Sequence, residues 1–145
     1  MRIVLGSDER TPLTDALAAS LRAGGAEVDL VGPPAGEDIA WPEVGRRVGE
    51  RVASGAADTG IVCCWTGTGV SIAANKVPGV RAALCGDAAT AAGARRWNDA
   101  NVLALSLRLV TEPLATEIVD AWLTTGPDPD EAANIAAVEP PDAGR

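Results

Sequence analysis

Short apolar runs alternate with amphipathic stretches along nearly the whole chain, and few architectures accept that pattern. The apolar runs are Arg2 to Gly6, Glu27 to Val31, Ile61 to Cys63, Val80 to Cys85 and Asn101 to Leu105. Between the first two, residues Thr11 to Gly24 place Leu13, Leu17, Ala18 and Leu21 on one helical face, and Gly24-Gly25 stops the helix. Trp41 to Ser54 has Pro42 near its first turn and Gly55 after its end. Asp87 caps a helix through about Arg95, and Thr111 to Leu123 opens with Glu112 and Pro113. Strands alternating with helices, and strands that read as continuous apolar runs, imply an α/β fold: a parallel sheet covered by helices on both faces. No repeat or internal boundary interrupts the pattern. A single domain over residues 1–138 is expected, ending in a short helix from Glu131 to Val138, with a loose tail over 139–145.

Composition removes several function classes. The 145 residues carry a net charge of −8, which argues against nucleic acid as a partner. No apolar run reaches membrane-spanning length, and no basic segment followed by an apolar one opens the sequence, so a soluble cytoplasmic protein is expected. Its 3 cysteines, two of them adjacent, do not make a disulfide framework. There are 0 histidines, which excludes a histidine metal site, a Ser-His triad and a histidine base. Proton transfer near neutral pH must then use Cys, Asp, Glu, Lys or water. Neither a metal nor a cofactor is expected.

Residues Ile61 to Lys76 concentrate the chemistry. An apolar run ends at Cys63-Cys64, a turn rich in Gly and Thr follows, and Val70 to Asn75 reads as the start of a helix. Free backbone N–H groups at a helix N-terminus, approached through glycines, form an anion or oxyanion pocket. Cys64 stands at the strand's carboxyl end, where open α/β sheets keep their ligands. Such surroundings lower a thiol's pKa and suit a nucleophile or proton carrier. A buried cysteine beside a tight structural turn gives the same pattern, and spacing alone does not separate the two. Cys63 faces oppositely on the strand, so it and Cys85 read as small core residues.

The sequence resembles the type B ribose-5-phosphate isomerases and the related galactose-6-phosphate isomerase subunits. The resemblance rests on Ile-Val-Leu-Gly-Ser-Asp near the start and Gly-Thr-Gly-Val-Ser-Ile-Ala-Ala-Asn-Lys in the middle. Val-Arg-Ala-Ala-Leu-Cys, Asn98-Asp-Ala-Asn-Val-Leu-Ala-Leu and Arg108 continue it, from Met1 to about Leu123. It implies a Rossmann-like three-layer domain with five parallel strands in the order 2-1-3-4-5. It also implies a homodimer or tetramer with active sites at the subunit interface, and isomerisation of a small-molecule aldose or ketose through an enediolate. Cys64 matches the family's catalytic cysteine. Thr66, Gly67, Thr68, Gly69, Val70 and Ser71 fall in its anion-stabilising loop, Asp8 matches its acidic sugar contact, and Asn98 its substrate-binding asparagine.

The departures cluster on the substrate side. Glu9 stands where the family has histidine, and Trp97 where it has the histidine that helps open the sugar ring. Trp41 replaces a pocket tyrosine, and Trp65 replaces the glycine after the cysteine. The segment Glu131 to Val138, where the family carries phosphate-binding arginines, contains no cation. A phosphate dianion needs charge-assisted donors, and Glu9 repels it. Arg10, Arg95 and Arg108 are the replacement candidates. Three readings follow: an isomerase of an open-chain or non-phosphorylated, more apolar substrate; an ordinary ribose-5-phosphate isomerase; or a non-catalytic member that binds a ligand or partner. If Cys64 is catalytic, Asp8 or Glu9 moves protons between the substrate oxygens.

Overall fold

The computed structural model describes residues 1–141; the last four residues of the expected tail lie outside them. The chain builds β1 (Arg2–Ser7), α1 (Pro12–Ala23), β2 (Glu27–Val31), α2 (Trp41–Ala53) and β3 (Thr59–Cys64). There follow α3 (Thr68–Asn75), β4 (Ala82–Leu84), α4 (Ala88–Asn98), β5 (Val102–Ser106), α5 (Glu112–Thr124) and α6 (Ala132–Val138). Every strand pairing is parallel. Glu139, the first residue of the expected tail, is tied down by Arg81 Nη1 at 2.8 Å.

Successive strand residues point to opposite faces, and each face has its own core. Ile3, Leu5, Ile61, Cys63, Leu103 and Leu105 meet α1, α4 and α5 through Leu17, Ala91, Ile118 and Trp122. Val4, Val62, Cys64, Val102 and Ala104 meet α2 and α3 through Val44, Val48, Val70 and Ala74. Helix entries follow local chemistry. Thr11 and Thr14 form a reciprocal capping box on α1, Asp87 accepts from Thr90 N–H on α4, and Thr111 accepts from Leu114 N–H on α5. The first turns of α2 and α3 have no side-chain cap.

The strand order corrects the expected 2-1-3-4-5: it is β2-β1-β3-β5-β4. All five residues of β5 are buried, whereas β4 has only three residues, each partly or well exposed. A strand apolar on both faces belongs inside a sheet, and a short one is tolerated at the edge. Bounds shift as well. The fourth strand contracts from Val80–Cys85, the third helix starts at Thr68 rather than Val70, and α4 runs on through Trp97 to Asn98.

Trp122 is the core tryptophan. It is 2% exposed, its Nε1 donates to Thr59 Oγ1 at 2.9 Å, and the Arg95 guanidinium lies 5.6 Å from its ring centroid. Arg95 also donates to the Thr125 and Ala100 carbonyls, which makes it a structural cation. Arg46, Arg47 and Arg51 pair with Glu43 and Glu50, Glu37, and Asp29 on the α2 surface.

Candidate active site

The connection from β1 runs to β2 on one side, and the later strands lie on the other side of β3. The carboxyl ends of β1 and β3 therefore flank the point where an open α/β sheet opens a crevice. Ser7 is in register with Cys63, so Asp8 and Cys64 come next at that edge. The two thiols have different surroundings. Cys63 is fully buried in the α1–α5 core, and burial, followed by the charges of Cys64 and Asp8, pushes its pKa up to about 12. Cys85 is pushed up to about 11, again mainly by burial. Cys64 ends its strand where the glycine loop begins, and it too is buried, 6% exposed in the α2–α3 core.

Gly67 makes the loop possible. Its φ is +77°, the left-handed region that side chains avoid, and it is the N-cap of α3. A Cβ there would lie 2.6 Å from Leu84 Cδ1 and 2.9 Å from the Leu105 carbonyl carbon. Gly69 is equally constrained, because a Cβ would meet the Trp41 ring at 2.9 Å. Trp41 thus packs on the first turn of α3 while 43% of it stays exposed. Thr66 and Thr68 hydroxyls bond to each other at 2.8 Å. Val70 is fully buried in the α2–α3 core, so only its backbone faces the loop chemistry. Ser71 N–H closes the first turn onto the Gly67 carbonyl at 3.3 Å. The N–H groups ahead of it, on an uncapped helix end, carry the positive end of the helix dipole.

Asp8 is half-buried, and its Oδ1 is a buried oxygen with no partner among the described residues. Burial, then the charge of Glu9, raises its pKa above the usual carboxylate value; a backbone hydrogen bond opposes this. The native state therefore holds this proton more readily than the unfolded chain does, so the group's contribution to stability falls as pH rises through that window. Asp8→Asn is expected to stabilise the fold at pH 7 and to flatten this part of the stability–pH curve, measured by urea unfolding between pH 3 and pH 7. A loss of stability at pH 7 would contradict it. Glu9 is exposed beyond an Ser7 turn, in which Ser7 Oγ donates to the Glu9 carbonyl at 2.6 Å.

The structure gathers only part of the expected set. Asp8, Cys64, Trp65, Trp41 and the loop from Thr66 to Ser71 share the carboxyl edge. Arg108 joins them, since its N–H donates to the Trp65 carbonyl at 3.0 Å, and its guanidinium forms no ion pair among the described residues. Arg10 lies in the β1–α1 connection at the same edge, where it pairs with Asp15 at 3.0 Å in an exposed ion pair. Trp97 and Asn98 lie elsewhere. They end α4, which leads into the start of β5, so they sit at the amino edge of the sheet. A six-residue strand separates the two edges by roughly 20 Å. The Trp97 ring folds back on Gly93, where a Cβ would lie 2.7 Å from it, and stays 55% exposed. Two residues of the carboxyl edge escape a reading of the sequence: Leu84, against Gly67, and Ser106, whose Oγ donates to the Trp65 carbonyl at 3.0 Å. The only sequence signal for Ser106 is a polar residue directly after an apolar strand. Among the described residues no group of three His, Cys, Asp or Glu side chains could hold a metal ion, and no helix is long and apolar enough to cross a membrane.

A thiol at a parallel strand's carboxyl end, a glycine loop with N–H groups at a helix start and a carboxyl one strand away are groups that can move a proton and hold a developing negative charge. Residues 3–137 match the Ribose/Galactose Isomerase family, and the chain belongs to it. Among relatives, D-erythrulose-4-phosphate isomerase of Pectobacterium atrosepticum is 38% identical over 125 residues, 85% of this chain and 82% of that protein. The YwlF protein of Bacillus subtilis is 46% identical over 87 residues, which is 60% of this chain and 58% of that protein. The solved structure of Clostridium thermocellum ribose-5-phosphate isomerase B superimposes with a TM-score of 0.89 at 42% identity, over 95% of each chain. The protein is accordingly an isomerase of the aldose–ketose type.

Proposed function

We propose that the protein isomerises an open-chain hydroxycarbonyl compound through an enediolate, with little reliance on a phosphate. The observation that carries the chemistry is Cys64 at the end of β3, directly before the uncapped glycine loop. The Cys64 thiolate takes a proton from the carbon beside the carbonyl. The electrons of that C–H bond form the enediolate double bond, and the carbonyl oxygen takes up the negative charge. Loop N–H groups stabilise that oxygen. The proton returns from the thiol to the former carbonyl carbon. Asp8, whose unpartnered Oδ1 lies one strand from Cys64 and whose pKa burial raises above the usual carboxylate value, carries the hydroxyl proton between the two oxygens.

The substrate reading rests on charge. Arg10 is held by Asp15, α6 carries no cation, and Glu9 stands exposed beside Asp8, while Trp41, Trp65 and Leu84 give the crevice apolar walls. A second reading, ordinary ribose 5-phosphate isomerisation, is favoured by Arg108, which the Trp65 carbonyl anchors beside the loop. Trp97 and Asn98 at the far edge serve a site only if another copy of the chain supplies them, so we assign the active form to at least a dimer. A chain that remains monomeric at micromolar concentration by sedimentation would remove that assignment.

Steady-state assays decide the substrate. Turnover of ribose 5-phosphate is expected below about 1 per second, with faster turnover of a short hydroxycarbonyl that cannot close a ring. Ribose 5-phosphate turnover at or above that rate, lost in Arg108→Ala, would establish the second reading.

A further inference from the structure

We infer that Ser106 is a positioning residue that aims the Thr66 N–H, with the Trp65 N–H beside it, at the developing enediolate oxygen; this rests on the isomerase reading above. The observation is the direction of two successive carbonyls. Leu107 N–H donates to the Cys64 carbonyl at 3.0 Å, and Arg108 N–H donates to the Trp65 carbonyl at 3.0 Å. The Ser106 hydroxyl donates to that same Trp65 carbonyl at 3.0 Å. Both carbonyls thus face β5. In an extended strand successive carbonyls alternate sides, so the chain leaves the sheet here in a bent form.

Among the described residues no peptide is cis, and in a trans peptide the C=O and the following N–H point oppositely. The N–H groups of Trp65 and Thr66 therefore both face away from β5, toward the β1 side, where Asp8 ends its strand. Successive N–H groups pointing one way form an anion-binding concavity. Neither makes a backbone hydrogen bond among the described residues. The Trp65 carbonyl accepts two donors, and each further polarises the 65–66 peptide so that its N–H end becomes a better donor. Ser106 is 5% exposed and in register with Cys64, so its hydroxyl is held in place by the strand itself. Without it, the peptide is held by Arg108 N–H alone and can rock.

An N–H aimed at a carbonyl oxygen meets a full negative charge only when the enediolate forms. Losing its aim should lower kcat and leave KM nearly unchanged. Removing a whole oxyanion donor costs about 10²–10³ in kcat, and a misaimed one less, so Ser106→Ala is expected to lose about tenfold. Affinity for a hydroxamate mimic of the enediolate should fall by the same factor as kcat/KM, while affinity for the matching sugar alcohol stays put. A merely structural role would weaken both ligands alike, and that result, or kcat within twofold of wild type, overturns the proposal. The Thr66 amide resonance gives a readout separate from turnover. It should move on adding the hydroxamate to wild type and move less in Ser106→Ala. If the wild-type chain turns over no hydroxycarbonyl and binds no hydroxamate, the isomerase reading fails instead. The ligand-free Thr66 amide shift then still decides the role of Ser106, since identical shifts in the two proteins mean that it does not orient the peptide.

Discussion

Replacing Cys64 by alanine is expected to lower turnover by roughly 10²–10⁴-fold, the usual worth of a positioned proton-transfer group. Folding should survive: Cys64 is 6% exposed and packs in the α2–α3 core, so losing its sulfur should cost about 1 kcal/mol of stability. Cys63→Ala is the matched control. That thiol is fully buried, and burial holds its pKa near 12, so it is no base at neutral pH. Its removal should cost about 1 kcal/mol of stability and leave kcat within a few-fold. Urea unfolding and initial rates on both variants separate the two roles. Full activity in Cys64→Ala would move the base to Asp8 or Glu9.

The largest structural effect is expected at Gly67. An alanine there must hold a φ of +77°, which costs about 1–2 kcal/mol for a residue with a side chain. Its Cβ would also sit 2.9 Å from the Leu105 backbone, which cannot step aside as the nearby Leu84 side chain can. Crowding of this kind adds about 1–3 kcal/mol. Gly67→Ala should therefore lose roughly 3 kcal/mol by denaturant unfolding, and most activity, since α3 begins at that residue. Leu84→Ala in the same background should recover only the part of the loss due to that side chain. A Gly67→Ala protein as stable as wild type would mean that the loop relaxes freely and holds nothing in place.

Much of the fold is legible in the sequence because its signals are short-ranged. The period of apolar residues, Thr11, Asp87 and Thr111 at helix starts, and Gly24-Gly25 and Gly55 at helix ends each act within a few residues. The loop from Thr66 to Ser71 could be placed after a strand and before a helix for the same reason. The exchanged positions of β4 and β5 were not legible. Lateral order depends on which strand can be covered on both faces, and that is settled by helices distant in sequence. Val102 to Ser106 is fully covered, and Ala82 to Leu84 is not.

The candidate site divides along the same line. Asp8 and Cys64 were recoverable because each ends an apolar run, and parallel strands bring such ends to one edge. Trp97 looks, in sequence, like the partner of Trp41 and Trp65, but the direction of α4 carries it to the opposite edge. Arg10 reads as a free cation until Asp15, in the first turn of α1, is seen to pair with it. The sequence by itself therefore determined the strand–helix alternation, the helix ends, the place of Cys64 at a strand end and the glycine loop, all of them properties of neighbouring residues. Only the tertiary structure decided the order of the strands, which aromatic residues share an edge, and that the Ser106 hydroxyl reaches the Trp65 carbonyl 41 residues away. Those depend on where separate segments meet, and the free energy of that meeting is shared across the whole core.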